Sequence, residues 1–137
     1  MGYFSQFYGD DTILLAGDPP ALRELAVLLR GLESRHACPV EVHTLSFVTA
    51  FQGVELTAFP VGRELGVRRI GPKGPRFGWY HSEEGWLEAA EKIERIVESG
   101  KGHNWLDCIG VEDARLMVSL NEYSYDWWAS AGHAQEP

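Results

Sequence analysis

Residues Ser82–Ser99 constrain the fold of this chain more than any other stretch. Ser82 suits an N-cap, because its hydroxyl can accept a hydrogen bond from an otherwise orphaned first-turn amide. Glu83 and Glu84 place negative charge at the positive end of the helix dipole. Trp86, Ala89, Ala90, Ile93, Ile96 and Val97 recur at the three- and four-residue spacing that gathers them on one stripe. Glu88, Glu91, Lys92, Glu94, Arg95 and Glu98 fall mostly on the other faces, and Gly100 supplies a left-handed stop. The pairs Glu88–Lys92 and Glu91–Arg95 contribute only about 0.2–0.5 kcal/mol each. Burial of the apolar stripe must therefore hold this helix, and the remaining chain has to provide the layer on which Trp86 lies.

That layer reads as β-structure. Tyr3–Tyr8 and Thr12–Ala16 form a hairpin across Gly9–Asp10–Asp11. Asp18 and Pro19 then open a first helix with Leu22, Leu25, Ala26, Leu29 and Leu32 inward. Gly31 is expected as its C-cap, with Leu32 folded back on Val27. Val40–Val48 and Gly53–Phe59 are expected strands; in the second, Val54, Leu56 and Ala58 alternate with Glu55, Thr57 and Phe59. Val67–Ile70 and Arg76–His81 pair across Gly71–Pro75, which two prolines and two glycines keep irregular. Beyond the Ser82 helix, His103–Cys108 and Ala114–Leu120 make a last pair, with Leu116, Val118 and Leu120 facing the core. Tyr125–Ala131 is expected as a short terminal helix. The expectation is one α+β domain over residues 1–137, an antiparallel sheet with two main helices packed on one face, in the order ββα-ββββ-α-ββ-(α).

Charge narrows the partners. The net charge of −8 argues against a general nucleic-acid binder, because phosphate contacts need basic surface. Between Arg63 and Arg76, five basic residues stand against Glu64, leaving that stretch at +4 and the rest of the chain at −12. Such a surface suits a basic partner. No apolar run approaches the roughly 20 residues needed to span a bilayer, so no membrane role is expected. The opening residues lack the basic segment and apolar core of a signal peptide. Cys38 and Cys108 are too few for a disulfide framework and read as buried, reduced and inert, which points to the cytoplasm.

Four groups of residues are candidates for a site. His103 and Asp107 lie four apart on one strand face, where a carboxylate can orient a histidine as a base or ligand; His81 or Glu122 would join them. The plain alternative is a histidine bonded to backbone after a turn, with Asp107 capping the next one. No CxxC or HxxxH spacing supplies a metal site, and no cofactor is expected. Neither cysteine, nor Ser46 or Ser119, has the setting of a nucleophile. Arg68 and Arg69, beside the Gly71–Pro75 loop, would clamp a carboxylate or phosphate, or simply decorate an exposed hairpin. Trp127 and Trp128 cannot both face inward on one short helix, so one is expected at a surface, as an interface with a partner or with a second copy in a homodimer.

Gly102–His103–Asn104–Trp105–Leu106–Asp107, followed by Val118–Ser119–Leu120–Asn121–Glu122–Tyr123, resembles a signature of small uncharacterised bacterial α+β proteins, some of them similar to the immunity proteins of toxin systems. The resemblance implies no catalytic assignment. The −12 outside one hairpin, the spare tryptophan and the lack of a convincing catalytic set point to a small cytoplasmic binding protein whose acidic surface meets a basic partner, as in neutralising a toxin or nuclease. The alternative from the residues themselves is an enzyme or small-ligand or metal binder using His103, Asp107 and Glu122.

Overall fold

The computed structural model describes residues 1–7, 10–32, 37–51, 53–106, 113–120 and 127. The strands are β1 (Gly2–Phe7), β2 (Asp10–Gly17), β3 (Val40–Glu41), β4 (Glu55–Pro60), β5 (Gly66–Arg69), β6 (Arg76–His81), β7 (Gly102–Trp105) and β8 (Arg115–Leu120). The helices are α1 (Pro19–Gly31) and α2 (Glu83–Ser99), with a 3-10 turn at Val42–Thr44. The fold is α+β, with the expected order of elements.

Among the described residues the strands sort into two four-stranded sheets, β1-β2-β8-β7 and β3-β4-β6-β5. Each is built alike: two antiparallel pairs lie side by side and join through a parallel pair, β2 with β8 and β4 with β6. The sequence leads one to expect a single, wholly antiparallel sheet. That expectation holds for the pairs β1–β2, β3–β4, β5–β6 and β7–β8, whose members follow each other in the chain. It does not extend to the middle of each sheet, where the strands of two pairs run the same way. Asp113 ties the sheets together: its amide donates to the Val67 carbonyl at 3.0 Å, and its Oδ2 accepts from the Arg69 amide at 2.7 Å.

Register decides what each face buries. Ile13 lies opposite Leu116 and Leu15 opposite Val118, and all four join the main core. Leu14 opposite Met117 points the other way, where with Phe4 it forms a second buried cluster against Phe51, Trp105 and Trp127. The first sheet is thus covered on both sides. In the second sheet Leu56, Ala58, Val67, Phe77 and Trp79 face the main core. Glu55, Thr57 and Phe59 stay half-exposed, as the alternation predicts.

Both helices set their apolar stripes into that core. The Ser82 hydroxyl accepts from the Gly85 amide at 3.2 Å, and Gly100 ends α2 at φ 81°. Asp18 caps α1 through the Ala21 amide at 2.9 Å. The α1 end differs from expectation: Gly31 stays inside the helix, Leu32 is the C-cap and enters the core, and Val27 stands 69% exposed. A buried leucine gains more from the shared core than from one neighbouring valine on the helix surface. The helices pack side by side, with α2 also meeting β6, β7 and β8. Arg30 and Glu94 bridge them at 2.6 Å, but both are well exposed and so hold little.

The expected strand Val40–Val48 is cut short at Glu41, because a side chain takes over from the ladder. His43 Nδ1 accepts from the Leu56 amide at 3.1 Å, and the chain turns away into the irregular segment 45–51. The expected helix Tyr125–Ala131 lies outside the described residues apart from Trp127.

Candidate functional site

His81 and His103 part company. His103 sits exposed on β7, at the edge of the first sheet, opposite Ser119. His81 ends β6 in the other sheet and is 5% exposed, its ring set edge-on to Trp79 at 5.8 Å and to Trp86 at 5.0 Å. Its Nε2 lies 3.4 Å from the Leu106 carbonyl. Burial holds its pKa below the usual 6.5, only partly offset by that carbonyl and by Glu64 and Glu88. Asp107 and Glu122, the carboxylates expected beside His103, lie outside the described residues, as do Trp128 and Cys108. Among the described residues no group of three His, Cys, Asp or Glu side chains could hold a metal ion.

The two arginines point to different partners. Arg68 Nε donates to the Leu65 carbonyl at 2.8 Å, folding the side chain back along its own strand. The Arg69 guanidinium donates to the Gly74 carbonyl at 2.9 Å and to the Tyr3 hydroxyl at 3.2 Å, and lies 4.9 Å from the Phe77 ring centre. Tyr3 in turn donates to Asp11 at 2.9 Å. Arg69 therefore fastens the Gly71–Pro75 loop to the first sheet, and the two arginines do not form a paired clamp. Trp127 packs on Phe4, ring centres 5.4 Å apart, and is half-buried. Cys38 is exposed, contrary to the expectation of a buried thiol.

Two features suited to binding stand out among the described residues. One is the outward face of α2. Glu83, Glu84, Glu88, Glu91 and Glu98 are exposed there, while Arg95 is the one exposed base among the described residues of that helix. Lys92 is drawn inward: its Nζ donates to the Trp105 carbonyl at 3.0 Å and lies 3.6 Å from Glu88. The same periodicity that buries Trp86 thus concentrates carboxylates on the opposite side.

The other is a cavity of about 430 Å³ where β2 turns into α1. Leu15, Ala16 and Gly17 form one wall and Ala21, Leu22 and Leu25 another. Met1, Phe47, Val48, Thr49 and Phe51 complete it. The Met1 amino group donates to the Thr49 carbonyl at 2.7 Å, and burial drives its pKa down to about 5. Sequence reasoning missed this hollow, since Phe47 and Val48 read as strand and Phe51 as a turn or strand extension. The signal was present: Leu45, Phe47, Val48, Ala50 and Phe51 are apolar yet follow neither period. Comparison with protein-family models, with curated proteins and with solved structures gave no match.

Proposed function

We propose that this chain is a small binding protein that engages a basic protein partner through the carboxylate face of α2, in the manner of an immunity protein neutralising a basic toxin or nuclease. The observation that carries the reading is the one-signed helix face: five exposed glutamates against one exposed base on a single element. A fixed array of like charges on a rigid helix speeds encounter with an oppositely charged surface and disfavours acidic competitors. The net charge of −8 extends the same attraction beyond contact distance.

Affinity capture on the immobilised full chain tests this, with wild type beside a triple variant carrying Glu88→Lys, Glu91→Lys and Glu98→Lys. The expected result is a protein of high isoelectric point retained by wild type, released as salt is raised, and lost from the variant. Equal recovery on both surfaces, or retention indifferent to salt, sinks the reading.

A further inference from the structure

The geometry points to a second, independent binding site: the cavity between the end of β2, the first turns of α1 and the segment 45–51 takes a small uncharged, mainly hydrocarbon molecule. Its volume, about 430 Å³, lies within the roughly 300–1,000 Å³ typical of small-molecule pockets. Among the described residues no charged side chain contributes to its walls, although the chain carries 12 basic and 20 acidic residues. Of the charge-bearing groups that adjoin the lining in the chain, two are already engaged. Asp18 caps α1 through the Ala21 amide, and Pro19 and Pro20 have no amide to offer an anion. The Met1 amino group is held by Thr49. An ion placed here would lose its water without gaining a charged side-chain partner among the described residues, a loss that an apolar guest does not suffer.

Shape agrees with chemistry. Leu15, Leu22 and Leu25 come from regular elements and make a fixed aliphatic wall. Phe47, Val48 and Phe51 come from a segment with no helix or strand, so the aromatic wall is the one that can yield to admit a guest. Thr49 is exposed at this wall and offers one polar contact at the mouth. The guest is then a compact aliphatic or aromatic compound with at most one hydrogen-bonding group.

The test uses the full chain and the neutral fluorophore N-phenyl-1-naphthylamine. Wild type should bind it saturably at one site per chain, and 1-naphthol should displace it at least tenfold more effectively than the anion 1-naphthoate. Ala21→Phe, which fills the hollow from α1, should weaken binding tenfold or more. Phe47→Ala, which removes part of the irregular wall, should weaken it without disturbing the helix. Val27→Ser, at an exposed position on the far side of α1, should leave it unchanged. Absence of saturable binding by wild type, undiminished binding by Ala21→Phe, or naphthoate matching naphthol would each overturn the proposal. So would a concentration-dependent dimer that Ala21→Phe dissolves, since the hollow would then belong to a second copy. None of these readouts involves the α2 glutamates, so either proposal can fail without the other.

Discussion

Replacing Gly85 with alanine should destabilise this protein, although glycine to alanine inside a helix ordinarily stabilises by up to about 1 kcal/mol. The reversal comes from His81. A Cβ built on Gly85 would stand 2.5 Å from His81 Nδ1 and 2.8 Å from its Cγ, both inside contact distance. The ring has nowhere to go, because Trp79 and Trp86 hold it edge-on from two sides and both are fully buried. Forcing a methyl into a filled core costs about 1–3 kcal/mol. Set against the helix gain, the net loss should be about 1–2 kcal/mol, or roughly 3–6 °C in Tm for a chain of this size. Gly31 supplies the contrast: it also lies in a helix, but a Cβ added there would meet nothing within 4 Å, so Gly31→Ala should be neutral or stabilising. Urea denaturation followed by tryptophan fluorescence and by circular dichroism measures both. In a His81→Ala background, Gly85→Ala should lose its cost, giving a coupling of at least about 1 kcal/mol in the double-mutant cycle. A Gly85→Ala protein as stable as wild type, or a cost undiminished without the His81 ring, would refute the packing described for β6 against α2.

Other consequences follow from the same contacts. Trp86→Ala should cost about 3–5 kcal/mol, as expected for removing a fully buried large ring, and Trp86→Phe distinctly less, because the indole N–H that it deletes has no hydrogen-bond partner among the described residues; chemical denaturation distinguishes the two. Because burial depresses the His81 pKa, the unfolded chain takes up that proton first. The stability due to neutral His81 is therefore complete above pH 6.5 and is lost as pH falls below it towards the lower folded value, with a slope of up to about 1.4 kcal/mol per pH unit. The Met1 amino group acts in the same sense, so the His81 share is the difference in slope between wild type and His81→Gln; identical slopes would contradict it. Asp113→Ala removes the acceptor for the Arg69 amide at the seam between the sheets and should cost about 0.5–1.5 kcal/mol, with faster hydrogen exchange at Arg69. No change in Arg69 protection would argue against that seam.

What could be read in advance was local. The caps Ser82 and Asp18, the stop at Gly100, the apolar stripes and the alternation in Val54–Phe59 all act between residues a few positions apart, so the helices and most strands were legible. Single residues were misread where a distant partner outweighed the local signal. His43 replaces a strand ladder with its own ring nitrogen, and Leu32 prefers the common core to Val27. His81, expected near His103, is taken by two tryptophans that come from β6 and α2.

The amino-acid sequence by itself determined the α+β class, the order of elements, the turn at Gly71–Pro75 and the acidic side of α2, because each follows from short-range periodicity and composition. Only the tertiary structure decided that the described strands divide between two sheets, that β2 meets β8 and β4 meets β6 in parallel, and that a mainly apolar hollow opens at the start of α1. Those outcomes depend on pairings between segments far apart in the chain. Backbone hydrogen bonding is the same for every residue type but proline, so such pairings leave little trace in any one segment until the core they jointly bury selects among them.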